Sequence, residues 1–330
     1  MSSIMTNTAA LTALQSLNAT SKSLQDTQAR ISTGYRVSQA SDNAAYWSIA
    51  TTMRSDNQAM STVSDALGLG ASKVDTAYTG MNSSIDTLNQ IKTKLVASYG
   101  QTDADKEKTQ TEIAALQKQL KSYADGATFS GTNMLSVSTA SGTAADVKIV
   151  SAFNRDASGA SSISTIDVNV ESIKLYDSGA APTAKGILDA DRLGSTGAVT
   201  GTAAAPTAGA ASTAADTYSV ATLKVYDSAT GKGFSDSQIA DQMKVVDAAL
   251  KDMTNAATTL GAAKSSVDLQ KTFTSNLMDS IDRGVGQLVD ADMNKESTRL
   301  QALQVQQQLG VQALSIANSS TQSIMSLFRG

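Results

Sequence analysis

A chain of 330 residues with 4% aromatics, one Trp (Trp47), two Pro and a net charge of −4 does not read as a conventional globular enzyme. It holds no His and no Cys, which removes Ser-His-Asp and Cys-His catalysis, thiolate chemistry and the common zinc sites together. The mild charge offers no basic patch to nucleic acid, and no apolar run is long enough to span a bilayer, so no membrane insertion is expected. Nor does the N-terminus, whose first basic residue is Lys22, resemble a signal peptide. That pattern fits a cytoplasmic protein, or one exported without a cleaved leader. Average usage would give about 16 Pro; Pro182 and Pro206 both lie mid-chain, so either end can run long helices.

The N-terminal stretch places Ile4, Leu11, Leu14, Leu17, Leu24 and Ile31 at helical spacing. A second helix is expected over Ala44 to Tyr99. Steps of three and four from Tyr46 pass through Ile49, Met53, Met60, Val63, Leu67, Val74, Ala77, Met81, Leu88, Ile91 and Leu95. Only Asp56, Gly70 and Ser84 interrupt this seam, which is sustained like that of a coiled coil. Gly100 is a suitable stop. A third helix starts near Thr102, where Thr102 and Asp105 have capping-box spacing, and runs along Ile113, Leu116, Leu120 and Tyr123 to Gly126. Helices joined by so short a turn should lie antiparallel.

The middle differs. Val147–Phe153 and Ile166–Val170 alternate like strands of a hairpin turning around Asn154–Gly159. Lys174-Leu175-Tyr176-Asp177-Ser178 and Lys224-Val225-Tyr226-Asp227-Ser228 form an imperfect repeat, read as paired edge strands. Between them, Gly194 to Ala215 is rich in Ala, Gly, Thr and Ser and has little to bury. The segment from Ile173 to Gly233 therefore reads as a small, variable, surface-exposed insertion.

Helical periodicity returns at Ser235, which forms a capping box with Gln238, while Phe234 and Ile239 have the spacing of a hydrophobic staple. The seam continues through Met243, Val246, Leu250, Met253, Leu260, Val267, Met278, Ile281, Val285 and Leu288. Lys264 and Lys271 also fall on it and read as snorkelling or bridging between helices. Gly284 and Gly286 mark a weak point, since Gly costs about 1 kcal/mol against Ala inside a helix.

The last stretch has only Arg299 and Arg329 as charges after Ser297. It carries one apolar seam (Leu300, Leu303, Leu314, Ala317, Ile324, Phe328) and a second apolar face (Val305, Leu309, Ile316). A helix apolar on two faces must be covered on two sides. One molecule can cover one side by pairing its ends; the other requires neighbours. Burying a large aliphatic or Phe side chain contributes about 1.5–3 kcal/mol, so a dozen at the ends would supply on the order of 20 kcal/mol gross before ordering entropy. An ordinary intramolecular four-helix core is the competing reading.

No other motif carries chemistry. The pairs Asp103/Asp105, Asp189/Asp191 and Asp290/Asp292 do not continue into calcium loops and read as solvated carboxylates. Gly231-Lys232-Gly233 lacks the rest of a phosphate loop and reads as a turn. No cofactor is implied.

The stretch Ala29-Arg30-Ile31-Ser32-Thr33-Gly34-Tyr35-Arg36-Val37-Ser38-Gln39-Ala40-Ser41-Asp42-Asn43-Ala44-Ala45 resembles the N-terminal segment of bacterial flagellins. So do Thr128-Phe129-Ser130-Gly131-Thr132-Asn133-Met134-Leu135 and Ser315-Ile316-Ala317-Asn318. The resemblance covers about residues 1–172 and 235–330. Its Tyr46-Trp47 pair is similar to flagellins of plant-associated alphaproteobacteria. It implies a mainly α fold: a long antiparallel helical bundle or coiled coil built from both termini, with a β-hairpin and a small β-containing insertion. The implied divisions are a terminal coiled-coil, inner-tube domain (1–33 with 290–330), a long-helix bundle with the hairpin (34–172 with 235–289) and an outer insertion (173–234).

By resemblance the chain is a secreted structural subunit of the extracellular flagellar filament, with no enzymatic activity. Its implied partners are other flagellin copies, the flagellar type III export apparatus, a flagellin chaperone, the filament cap and hook-junction proteins. A hook–filament junction protein of the same superfamily is the alternative; a zinc-protease insert fails for want of His-Glu-x-x-His. Enteric flagellins carry Arg-Val-Arg-Glu-Leu-Ala where this chain has Ile91-Lys92-Thr93-Lys94-Leu95-Val96. With an Arg replaced by Ile91 and a Glu by Lys94, weak binding to the animal Toll-like flagellin receptor is expected. The plant-recognised segment is altered at Tyr35, Ser41, Asn43, Tyr46 and Trp47 among others, so weak elicitation is expected there. Packing of Tyr46 and Trp47 at a helix start explains the same residues equally well.

Overall fold

The structure is a computed structural model that describes residues 7–328 apart from 140–142, 157, 180–184 and 202, with side chains described as far as residue 319. Five helices dominate: α1 (Thr8–Thr33), α2 (Ala44–Ser98), α3 (Asp103–Gly126), α4 (Asp236–Val289) and α5 (Met293–Phe328). Among the described residues ten strands lie between α3 and α4: β1 (Thr128–Phe129), β2 (Thr132–Asn133), β3 (Ser136–Val137), β4 (Val147–Arg155), β5 (Ser161–Val168), β6 (Tyr176–Asp177), β7 (Arg192–Leu193), β8 (Thr217–Tyr218), β9 (Tyr226–Asp227) and β10 (Lys232–Gly233). The chain divides into two compact units, Met1–Ala59 with Leu277–Gly330, and Met60–Asn276.

In the Met60–Asn276 unit the predicted seam of α2 is the core. Met60, Val63, Leu67, Val74, Ala77, Met81, Leu88, Ile91 and Leu95 are all buried, with Ile113 and Leu120 of α3 and Val245, Val246, Met253, Leu260 and Val267 of α4. Two interruptions of the seam have physical causes. Ser84 is buried because its hydroxyl donates to the Gly80 carbonyl at 2.8 Å, satisfying it inside the helix. Gly70 is bare because Ile149 of β4 occupies the space a side chain would need. A Gly70→Val change is therefore expected to cost about 1–3 kcal/mol through overpacking, read as a lower urea midpoint; an unchanged midpoint would show that the hairpin moves aside freely.

Capping is mixed. At α4, Ser235 N–H donates to Gln238 Oε1 at 3.0 Å and Gln238 N–H to Ser235 Oγ at 3.4 Å, so the reciprocal box forms. Phe234 and Ile239 are buried together as a staple, with Ala208 beside them. At α3 the expected box does not form: the Thr102 hydroxyl donates to the Asp105 carboxylate instead of accepting from the backbone. Further along, Tyr123 is exposed, and Ala124 takes the buried position at the end of the seam.

β4 and β5 form the expected antiparallel hairpin, with a bulge between Val150 and Ala152. Val170 is not in the second strand; it opens a 3-10 turn, Val170–Ser172, capped by the Asn169 side chain. The two repeat segments do not pair with each other. β6 lies parallel to β3, and β9 pairs with β10 through a tight turn, so Lys232 and Gly233 belong to a strand. The repeat is nonetheless structural: each copy follows a 3-10 turn and carries a Tyr-Asp strand.

The insertion is also less external than its composition suggested. Ile173, Leu175, Leu188, Tyr218, Val220, Leu223 and Val225 join the main core, while residues 195–215 remain mostly exposed. Polar groups go in with them. Lys174 is 1% exposed, and its Nζ lies 2.9 Å from both the Glu171 and Asp177 carboxylates. Burial alone would push the Asp177 carboxyl up, but hydrogen bonds from Thr139, Lys174 and the Gly179 amide hold it well below the usual range. Arg192, also buried, reaches Asp252 of α4 at 2.7 Å. Apolar periodicity carries no trace of these pairs. Lys264 does bridge between helices, to Asp75 of α2, whereas Lys271 is exposed.

Candidate assembly interface

In the other unit, α1 opens on Asn7, whose side chain accepts from the Ala10 amide at 3.0 Å, and closes on Gly34 in the left-handed region, at φ 75°. No break occurs at Gly284 or Gly286; α4 continues to Val289. The break falls at Asp290–Asp292, where Asp292 caps α5 by accepting from the Asn294 and Lys295 amides. Gly34 and this break are stitched together: the Ala291 amide donates to the Gly34 carbonyl at 2.8 Å, and the Arg36 amide to the Val289 carbonyl at 2.6 Å. Val37, Ala50, Val285 and Val289 pack as a small core beside them.

Beyond the break, α1 and α5 lie antiparallel against each other. Asn7 Nδ2 donates to the Ala317 carbonyl at 2.9 Å near one end, and Arg30 pairs with Glu296 at 3.4 Å near the other. Leu17 fits over Gly310 between them. Leu303 is buried, and Leu17, Leu24, Ile31, Leu300 and Leu314 are half-buried along this pairing.

Among the described residues nothing covers the second apolar face. Val305, Leu309 and Ile316 are 54%, 57% and 68% exposed, and Val311, Leu11 and Leu14 are comparably open. Ile4 lies outside the described residues, as do the side chains of Ile324 and Phe328. Isolated exposed apolar residues are ordinary; Val305, Leu309 and Ile316, at helical spacing on one face of α5, make a row of the kind that marks an interaction site, with Leu11 and Leu14 open on α1.

The other singled-out residues are not brought into this patch. In the Met60–Asn276 unit, Ile91 and Leu95 are buried, while Lys92 pairs with Asp247 and Lys94 with Glu112, each at 2.6 Å. Near the start of α2, the Asn43 side chain accepts from the Tyr46 amide at 3.1 Å, and Ser41 is exposed. Tyr35, Tyr46 and Trp47 are each about two-fifths exposed, so packing at the helix start covers them only in part. Arg54 lies over the Tyr35 ring at 4.7 Å and Arg36 beside Tyr46 at 5.9 Å. Ile49, although on the predicted seam, is also exposed. Gly310 and Asn7, which shape the helix pair, were missed because neither is apolar. Among the described residues no group of three acidic, His or Cys side chains could hold a metal, and no helix is long and apolar enough to cross a membrane.

Paired first and last helices, continuous in sequence with long helices and a β-hairpin, define a protein whose two ends are helical. Two family descriptions match: "Bacterial flagellin N-terminal helical region" over residues 4–140 and "Bacterial flagellin C-terminal helical region" over residues 243–328. The chain is 50% identical to Flagellin C of Rhizobium meliloti (strain 1021) and 47% identical to a flagellin of Brucella melitensis biotype 1, in both cases over the whole of each chain. It is 42% identical to Flagellin A of Rhizobium meliloti, again over both full lengths. The chain belongs to the bacterial flagellins, a family of structural proteins of the flagellar filament.

Proposed function

We propose that this chain polymerises into the flagellar filament for swimming motility, and that copies join by burying α1 and α5 against one another. The observation that carries this reading is the exposure of Val305, Leu309 and Ile316 on α5 together with that of Leu11 and Leu14 on α1. About half of each of these side chains, and of Val311, remains in water, so covering the six contributes about 1 kcal/mol apiece, or about 6 kcal/mol gross per subunit. The break shared by Gly34 and Asp290–Asp292 supports a terminal, inner-tube division of 1–33 with 290–330. On this reading the other divisions are a long-helix bundle with the hairpin (34–172 with 235–289) and the insertion (173–234).

The chain is secreted to the extracellular filament, other flagellin copies are its principal partners, and the export apparatus, chaperone, cap and junction proteins handle it on the way. The full-length likeness to several flagellins favours a filament subunit over a hook–filament junction protein. Negative-stain microscopy of the purified chain after salt-induced assembly separates the two. Long filaments are expected; short, non-growing oligomers would favour the junction protein.

A further inference from the structure

The α1–α5 pair carries apolar rows that match in more than one register. With Leu17 over Gly310, stepping by heptads along the two antiparallel helices aligns Leu24 with Leu303, Ala10 with Ala317 and Ile31 with Glu296. Sliding α5 by one heptad, about 10 Å, would set Ile31 against Leu303, Leu24 against Gly310 and Leu17 against Ala317. Apolar or small residues still meet apolar ones. Greasy periodicity alone does not choose between these arrangements.

Polar groups do. Glu296 is the only acid in α5, and it is 7% exposed, with Arg30 at 3.4 Å. One heptad away in either direction its counterpart on the N-terminal segment would be Ser23 or Val37, and a buried carboxylate without its cation is strongly disfavoured. The other cation of α1, Lys22, lies eight residues from Arg30 and so does not fall on the heptad. Asn7 adds a second pin through its bond to the Ala317 carbonyl. A single polar group setting register in an otherwise apolar seam is a recognised device of coiled coils.

We propose that Arg30, acting through Glu296, is the positioning residue that sets the register of α1 against α5 and thereby aligns the assembly face. In the observed register Leu11 and Leu14 stand level along the pair with the stretch from Val311 to Ile316, which fixes the heights at which a joining copy would meet the exposed residues of both helices. A one-heptad slip would offset them by two turns. This inference rests on the polymerisation reading for its consequence, but its test reads register directly.

Because the chain has no Cys, paired substitutions report cleanly. Gln307→Cys is combined, in separate full-length chains, with Ala13→Cys, Thr20→Cys or Thr27→Cys and oxidised in assembly salt. Internal disulfides are counted by non-reducing electrophoresis, with helix content followed by circular dichroism. Only the 20–307 pair is expected to close efficiently. Adding Arg30→Met, with helix content unchanged, should raise the ratio of out-of-register to in-register disulfides about tenfold, which corresponds to about 1.4 kcal/mol. The reversal Arg30→Glu with Glu296→Arg should restore it. Disulfides still confined to 20–307 after Arg30→Met would overturn the proposal, as would loss of all three together with helix content, since the pair would then be holding the helices together rather than choosing their register. Filament failure by the unaltered chain, while the Thr20→Cys, Gln307→Cys chain still closes its disulfide, would count against the polymerisation reading instead.

Discussion

Replacing Leu309 and Ile316 together by Asp is expected to abolish filament growth while leaving the isolated chain folded. Both side chains are more than half exposed, so within one molecule a carboxylate at either site stays in water and costs little. Buried against a second copy, each would have to be neutralised or lose its hydration, a penalty of several kcal/mol. Two such penalties exceed the roughly 6 kcal/mol gross that the six open residues contribute. The thermal midpoint of the monomer should move little, whereas sedimentation after salt-induced assembly should show no polymer. Leu303→Asp makes a useful contrast. That residue is buried in the α1–α5 seam, so the same change should also loosen the monomer's own helix pair. Normal filaments from the double variant would mean that this face is not the joint.

The second large effect concerns Lys174. Removing its ammonium by Lys174→Met leaves Asp177 and Glu171 without the cation that lies 2.9 Å from each. Breaking a buried pair in this way costs about 3–5 kcal/mol, which should appear as a large fall in the urea midpoint of the Met60–Asn276 unit. The same cluster gives the unit an acid dependence. The folded state holds the Asp177 carboxyl below its ordinary value of 3.8. Its contribution is therefore fully present above about pH 4 and is lost as pH falls through the depressed folded-state value. Asp177→Asn should flatten that part of the stability profile between about pH 4 and 2; an unchanged acid limb would show that other carboxylates dominate it.

Much of the helical frame could be read from residue periodicity because the pattern and the packing obey the same period. Met60 to Leu95 form a core row for that reason. Failures cluster where a polar or small residue does the packing. Gly70 looked like a gap and is a seat for Ile149. Gly284 and Gly286 looked like a weak point, yet α4 runs through them, and the chain turns at Asp290–Asp292, where a side chain caps the next helix. The two Tyr-Asp strands looked like partners because they match in sequence, but strand pairing follows backbone position, and each found a different neighbour. The ions buried with the insertion were invisible because a Lys three residues from Asp or Glu is common on any surface. The exposed row of Val305, Leu309 and Ile316 was legible as a second apolar face on the last helix; the polar contacts of Asn7, Arg30 and Glu296 were not, since pairing across more than 260 residues leaves no local pattern.

The most direct measurement compares the full chain with one trimmed to residues 34–289 under identical assembly salt, by negative-stain microscopy and sedimentation. Trimming removes α1 and α5 but keeps Val37, Ala50, Val285 and Val289 and the whole Met60–Asn276 unit. The full chain is expected to form long filaments and the trimmed chain to stay dispersed at every salt concentration tested. Filaments from the trimmed chain, as long and as abundant as those of the full chain, would contradict the account.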